Sequence, residues 1–523
     1  MRLKIASRKS DLARLQAYEV GRSIQHKNPH VEIEYLFSTS LGDQNLEDPL
    51  WKMPEKGVFT ADLTEKLKRG ECDLVVHSWK DLPTELAPPV LSEIVATLPR
   101  ADVRDLFLFK KSSLAKASSS NAFLNKEPSQ VVIKVFTSSP RRGYNLSDFF
   151  KWALPFKCEV EFASVRGNML TRVQKLIEGD ADGLMVAKAA IDRLLSAPGA
   201  EFDLPREQLR TALEQCMFMV VPLTASPAAP AQGALAIEIL SSRADLRALL
   251  KSVNCEKTFR EVNFERHIFK SYGGGCHQKI GLTSLEKPYG RVDFGRGEPP
   301  NGQSFSYVKL EPKIQRVVSE GKVAKGKVFP VTMKDSSFFR RERLSVDLGL
   351  LAGRDLWVAR AEAWPDGAPS TMALENRVIW VSGLESWRKL AALGLWITGS
   401  NESLGEREPA NIETLMNRKL NFLKLTHSAA TEIESQMPAL ATYKLVAVDN
   451  PPELAGKTHF FWPSYSVFAR ALELAPSIIN GRHACGPGHS FDLIYAQLRR
   501  LLPSETARLD IYISRESWLE QIC

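Results

Sequence analysis

A short apolar run from Asp73 to Val76 leads directly into His77-Ser78-Trp79-Lys80-Asp81-Leu82-Pro83. The run reads as a buried strand, and Pro83 disfavours a helix immediately before it. Ser78, Lys80 and Asp81 therefore fall at the carboxyl end of a strand, where open α/β sheets bind their ligands. A cation next to a carboxylate at such an edge can grip an anion while steadying a reacting group. One such pair alone is more often a solvated turn, so the rest of the chain decides what it means.

The elements around it alternate. Leu3–Ala6 reads as a strand, and Ser10 as the cap of a helix running from Asp11 to about His26. Val31–Ser38 alternates as a second strand, and Phe59–Arg69 is an amphipathic helix feeding the run at Asp73. This βαβαβ opening predicts a mostly parallel sheet. Between Thr39 and Gly57 lies a long polar stretch with Lys52 and Lys56, either an active-site lid or a plain surface loop. A second alternating set follows Pro99: a strand at Val131–Thr137, then a helix capped by Ser139 with Pro140 at its first position. A strand at Glu159–Val165, a helix capped by Asn168, a strand at Gly183–Ala187 and a helix containing Arg193 complete it. Pro222–Gly233 reads as a crossing back to the first unit. Cys255–Tyr272 reads as a long helix stopped by Gly273, Gly274 and Gly275 just before Cys276.

At 523 residues several domains are required. The net charge of +8 suits acidic small molecules and lacks the dense basic tract of a nucleic-acid binder. No apolar stretch approaches membrane-spanning length, and Met1–Ser10 has no signal-peptide core. Seven scattered cysteines, none in CxxC spacing, predict reduced thiols in the cytoplasm and no metal site.

Three helix starts share one character: Ser7-Arg8-Lys9-Ser10, Thr137-Ser138-Ser139-Pro140-Arg141-Arg142, and Arg166-Gly167-Asn168 with Arg172 one turn on. Each joins free backbone N–H groups and hydroxyls or amides to arginine, the physical recipe for holding a carboxylate or phosphate. Together they predict a cleft lined with anion sites between two α/β lobes, an arrangement similar at fold level to hinged periplasmic binding proteins.

With these residues the sequence resembles hydroxymethylbilane synthase, the porphobilinogen deaminase family. The resemblance is carried by Ile5-Ala-Ser-Arg8-Lys-Ser10, Lys56-Gly57-Val-Phe59, Val76 to Pro83, Thr137 to Arg142, Arg166-Gly-Asn168, Gln232-Gly233 and Gly274-Gly275-Cys276. It is dense from Leu3 to about Ile280 and looser to about Pro365. It implies that Cys276 carries a covalent dipyrromethane cofactor built from two substrate molecules. It implies that Asp81, aided by Lys80, stabilises the cation left when porphobilinogen loses ammonia, or moves protons there. Ser78, Lys80, Asp81, Thr137, Ser138, Ser139, Arg141, Arg142 and Gln232 would hold the cofactor. Arg8, Ser10, Gln16, Arg166, Arg172 and Arg193 would bind substrate, and Lys52, Lys56 and Phe59 would form the lid and its base. Gly273, Pro140, Gly143 and Asp11 depart from the family's usual residues and bear on loop geometry.

The expected architecture is α/β, with two periplasmic-binding-protein-like lobes of mixed sheets at 1–98 plus 234–252 and at 99–233. A small α+β domain at 253–367 would carry the cofactor cysteine and include an insertion-like Gly/Pro stretch from Tyr289 to Gly302. A further α/β domain at 368–523 weakly resembles uroporphyrinogen-III synthase, a two-lobed family, through Ala441-Thr442-Tyr443, Trp462-Pro-Ser464-Tyr-Ser466 and the Gly486-Pro-Gly488 turn. The function implied is stepwise polymerisation of four porphobilinogen molecules and hydrolytic release of the linear tetrapyrrole, by a cytoplasmic monomer without membrane or nucleic-acid partner. Two alternatives stand beside it: a bifunctional fusion that also cyclises the product, and a non-catalytic two-lobed anion binder.

Overall fold

Short strands five to seven residues long, several of them followed by an amphipathic helix, build two sheets of the same design at the start of the chain. The structure is a computed structural model, and it describes residues 1–39, 61–84, 91–114, 131–275, 278–313, 322–332, 337–368, 377–431, 437–502 and 509–523. In chain order the strands are β1 (Arg2–Arg8), β2 (Glu32–Ser38), β3 (Leu74–Ser78), β4 (Ser92–Ala96), β5 (Asp105–Lys110), β6 (Val132–Phe136), β7 (Glu159–Ala163), β8 (Gly183–Ala187), β9 (Cys216–Val220) and β10 (Leu235–Leu240). The first sheet has the order β2-β1-β3-β10-β4 and the second β7-β6-β8-β5-β9. In each, two parallel pairings are followed by an antiparallel strand. β10 is the return strand, and it sets Leu235 opposite Ser78.

The helices beside these sheets are α1 (Asp11–Lys27), α2 (Ala61–Lys68), α3 (Pro140–Ala153), α4 (Met169–Glu178), α5 (Lys188–Leu195) and α6 (Asp203–Glu214). Ser139 caps α3 by accepting from Arg142 N–H, and Asn168 caps α4 by accepting from Thr171 N–H, satisfying donors that a helix start leaves open. Ser10 occupies the cap position of α1 but makes no side-chain cap bond. α7 (Glu256–Ser271) then precedes a three-stranded antiparallel sheet of β11 (Gly281–Lys287), β12 (Gly290–Gly297) and β13 (Phe305–Pro312).

That sheet corrects one expectation. The Gly/Pro stretch from Tyr289 is largely the central strand β12, paired along its length on both sides. Glycine is used there for close approach: a Cβ on Gly295 would sit 2.3 Å from the Tyr307 ring.

A second correction concerns the division at 367/368. β14 (Val328–Phe329), β15 (Phe339–Arg343) and β16 (Asp355–Val358) precede it, yet each pairs with strands beyond it. β15 and β16 share a six-stranded sheet with β17 (Ile379–Val381), β18 (Gly399–Ser400), β19 (Phe422–His427) and β20 (Ala439–Ala447). β14 shares a four-stranded sheet with β21 (His459–Trp462), β22 (Arg482–Cys485) and β23 (Leu509–Ile511). These strands are too short and too separated in sequence for their partners to be read locally.

The six-stranded unit packs against the second sheet and its helix α3 through one aromatic core. Trp387 is fully buried, stacks edge-on to Phe149 at 5.5 Å and donates its indole N–H to Ala153 O at 3.0 Å. Trp396 meets Phe109 at 5.5 Å and donates to Phe218 O at 2.9 Å. Val220 N–H donates to Thr398 O at 2.7 Å, tying the edge of β9 to the segment before β18. Because that core is shared, Trp387→Ala should cost about 3–5 kcal/mol and lower the unfolding of both units together. Urea unfolding followed by tryptophan fluorescence and far-ultraviolet dichroism should show coincident transitions at lower denaturant.

Candidate active site

A cleft of about 800 Å³ lies between the two lobes. Lobe 1 contributes the end of β1, the start of α1 and the turn after β3, and lobe 2 contributes the starts of α3 and α4 and the end of β8. These are the carboxyl edges of parallel strands and the N-termini of helices, where backbone donors point outward.

Of the residues read from the sequence, Arg8, Ser10, Gln16, Ser78, Lys80, Asp81, Ser138, Ser139, Arg142, Arg166 and Arg172 all line this cleft. Ser10 reaches it because its hydroxyl is not spent on a cap. Trp79, Lys80 and Asp81 form a single 3-10 turn anchored by the buried Trp79 ring and by Trp79 N–H donating to Ala234 O at 3.0 Å. Gln16 and Ser78 hydrogen-bond each other at 3.0 Å, and Ser138 bonds the backbone of Val165.

The charge balance is lopsided. Burial, then the nearby Arg142 and Arg166 guanidinium groups, pull the Arg172 pKa down, with Asp81 opposing and Arg8 adding to the repulsion. Burial also lowers the Lys80 pKa, with Asp81 opposing and Arg142 adding to the fall. Cations thus outnumber the two carboxylates of the cleft wall, Asp11 and Asp81, and crowd Asp81, a field that favours anionic ligands.

Four residues expected to touch ligand do not line the cleft. Arg141 is buried and donates to Asp105 Oδ2 at 2.8 Å, Ser226 Oγ at 3.2 Å and Pro227 O at 2.7 Å. Arg193 donates to Glu19 at 3.2 Å and to Gly233 O at 3.1 Å. Thr137 accepts from Ser139 N–H at 3.3 Å. Gln232 donates to Val103 O at 2.7 Å and Asp105 Oδ1 at 2.9 Å, and accepts from Lys80 Nζ at 3.4 Å. They form the layer beneath the wall, because a buried guanidinium or amide must find partners before it can reach for a ligand.

Asp105 is the residue this reading missed. It is fully buried and accepts from Arg141, from Arg142 at 2.7 Å and from Gln232. Burial raises its pKa, but Arg141 and Arg142 overrule that and hold it well below the carboxylate range. Its sequence signal, an acid opening the apolar run Leu106–Phe109, identifies it only once the double arginine is known to face it. His77, inside the motif, serves structure: its Nε2 lies 2.8 Å from Glu238 Oε2, which Ser92 also supports.

Cys276, Lys52, Lys56 and Phe59 lie outside the described residues. The loop leading to Cys276 can be placed. Gly274 has φ +61°, and a Cβ there would come within 2.4 Å of Thr84 Oγ1, so only glycine lets this loop lie against the Asp81 segment. Gln278 ties the loop by donating to Tyr272 O at 2.8 Å and Gly274 O at 2.6 Å. Arg266 on α7 donates to the carbonyls of Trp79 and Leu82 at 3.4 and 3.2 Å and to that of Pro83. Burial pushes its pKa down to about 10. A cationic cleft whose acidic turn is braced by the helix before a cysteine loop fits a polycarboxylate group attached at that loop. Among the described residues no His, Cys, Asp or Glu cluster could hold a metal ion, and no helix is long and apolar enough to cross a membrane.

A two-lobed α/β body with such a cleft belongs to the class of proteins that hold an anionic ligand between two lobes. The chain belongs to the porphobilinogen deaminase family. Residues 3–248 match the family model described as porphobilinogen deaminase, dipyrromethane cofactor binding domain. A porphobilinogen deaminase of Desulfitobacterium hafniense is 36% identical over 308 residues, covering 59% of this chain and 88% of that protein. One from Chromobacterium violaceum is 34% identical over 280 residues, covering 54% and 79%. One from Maridesulfovibrio salexigens is 33% identical over 284 residues, covering 54% and 80%. The family is one of transferases with a dipyrromethane cofactor, so this chain is an enzyme of that kind.

Asp105→Asn should destabilise the chain by about 3–5 kcal/mol, since two buried guanidinium groups lose their shared carboxylate. The depressed pKa means the stabilisation is complete above the ordinary aspartate value of 3.8 and drains away as pH falls below it. Urea unfolding of both proteins from about pH 7 to about pH 3 should show the gap narrowing at the acid end.

Proposed function

We propose that the chain condenses four porphobilinogen molecules head to tail and releases the linear tetrapyrrole by hydrolysis. The observation that carries this reading is Asp81, a carboxylate on the wall of a cleft otherwise crowded by Arg8, Arg142, Arg166, Arg172 and Lys80. Porphobilinogen bears two carboxylates and loses ammonia to leave a pyrrolic cation. The arginines and the hydroxyls of Ser10, Ser138 and Ser139 bind and orient the acid arms. Asp81, held rigidly by Trp79, faces the cation and stabilises the charge that develops there. Lys80, donating to Gln232, holds a propionate or acetate beside the reacting ring. Cys276 would hold the dipyrromethane, which when bound would supply the nucleophilic pyrrole carbon. Ser78, Ser139 and Arg142 hold its acid arms from the cleft wall, while Arg141, Thr137 and Gln232 support that wall from behind. Gln16 orients Ser78, and Arg193 braces α5 against the crossing segment. Lys52, Lys56 and Phe59 belong to the stretch proposed to cover the cleft and exclude water.

The matching strand orders of the two lobes support a hinged, periplasmic-binding-protein-like scaffold at 1–98 plus 234–252 and at 99–233. The sheet pairings support placing the cofactor-attachment domain at 253–313 and a separate unit from 322 onward. We assign the chain to the cytoplasm as a monomer.

A second activity is favoured by the path of that last unit. The chain runs from the four-stranded sheet at β14 into the six-stranded sheet and returns at β21, giving two α/β lobes, parallel except for the antiparallel edge strand β15, joined by adjacent connections. This is the two-lobed body that the uroporphyrinogen-III synthase resemblance implies, and we propose cyclisation of the linear product there.

Expressed in a porphobilinogen-producing host, the intact chain should exceed its sequence mass by one dipyrromethane. Cys276→Ser should remove the increment, and Asp81→Ala should keep the fold while losing at least ~100-fold in turnover; a bare mass for the wild type would refute the cofactor. Isomer analysis of the product separates the second activity: type III uroporphyrinogen is expected, and type I alone would mean that the C-terminal unit is silent.

A further inference from the structure

Residues 222–233 carry the chain from lobe 2 back to lobe 1, and the C-terminal unit grips them from outside. Glu402 and Ser403 follow β18 with left-handed backbones, φ 53° and 62°, conformations that persist in ordinary residues only where the surroundings over-determine them. The Glu402 side chain is buried and reaches across to the crossing segment. Leu223 N–H donates to Oε1 at 2.9 Å, Thr224 N–H to Oε2 at 2.6 Å, and the Thr224 hydroxyl to Oε2 at 2.7 Å. Those donors open a turn in which Ala225 and Ser226 N–H both donate to Pro222 O, at 3.1 and 2.9 Å. The same turn presents Ser226 Oγ and Pro227 O to Arg141, which shares Asp105 with the cleft residue Arg142. A parallel link runs through Arg104, chelated by Asp102 and donating to Ala410 O at 2.9 Å, one residue before Asp105.

We propose that Glu402 is a positioning residue of the anion cleft. Its carboxylate sets the crossing turn, the turn sets Arg141, and Arg141 with Asp105 fixes the guanidinium of Arg142 that meets the ligand. The C-terminal unit is therefore part of the apparatus that binds carboxylates, whatever chemistry it performs itself. The inference rests on the proposed function only for the identity of the natural ligand.

The test uses the full chain with two readouts: the Kd for benzene-1,2,4,5-tetracarboxylate by calorimetry, and KM and kcat for porphobilinogen. Glu402→Ala should raise Kd and KM at least fivefold while kcat stays within twofold. Glu402→Gln, which keeps one acceptor oxygen, should fall between it and the wild type. Arg418→Ala, which breaks the bridge to Asp355 in the same unit without touching this chain of contacts, should bind the probe as the wild type does. Thr224→Val removes one donor with little risk to folding and should raise Kd about twofold, carrying the test if Glu402→Ala does not fold. Wild-type probe affinity in both Thr224→Val and the Glu402 variants that fold, equal weakening by Arg418→Ala, or no probe binding by the wild type would each overturn the inference. A wild type that binds the probe yet leaves porphobilinogen intact would instead refute the proposed function, and the Kd series would still decide the role of Glu402.

Discussion

Two arginines one residue apart, both buried at the start of one helix, cannot be folded without an anion between them. Asp105 is that anion. It lies at the first residue of β5, takes one bond from each guanidinium and a third from Gln232, and so joins three distant parts of the chain at a single carboxyl group. The mutual repulsion of Arg141 and Arg142 and the desolvation of all three charges are offset only because the geometry is nearly saturated with hydrogen bonds. Once this centre exists, Arg142 is fixed on the cleft wall, Arg141 anchors the crossing segment, and Gln232 stands within reach of Lys80.

The opposing wall is organised by different means. Asp81 has no such network among the described residues; its turn is placed by the buried Trp79 ring and by Arg266, which spans three carbonyls of the same segment. The first arrangement supplies cations held by an internal anion, and the second supplies an anion held by an internal cation. The proposed substrate, with acid arms around a ring that becomes cationic, would meet both. The close approach of Gly274 to Thr84 brings the glycine loop at the end of α7 to that second wall.

Much of this was legible residue by residue. β3, β8 and the helix starts at Ser139 and Asn168 follow from short apolar runs, a proline at the first helical position and a capping side chain, all of which act within a turn of chain. Of the eleven expected residues that line the cleft, all but Gln16 were legible for the same reason: they occupy strand ends and helix starts, which sequence marks. Ser10 was read correctly as a helix start and incorrectly as a bonded cap. Arg141 was expected to meet ligand because arginine beside hydroxyls looks alike whether it faces a cavity or a buried acid, and Arg193 was expected there only because the family resemblance implied it. β12 was hidden because its glycines, which suggest a loop, instead admit the Tyr307 ring. The extent of the C-terminal unit was hidden because β14 and β16 find their partners scores of residues away.

The sequence by itself determined the local vocabulary and the chemistry: alternating strands and helices, anion-holding helix starts, an acid after β3 and a cysteine behind three glycines. Tertiary structure alone decided which of those cations see the cleft and which are spent on Asp105, and that a C-terminal carboxylate, Glu402, holds the segment joining the lobes. The physical reason is range. Caps, turns and periodicity are settled by neighbours along the chain, whereas the fate of a buried charge depends on which opposite charge the fold brings to it.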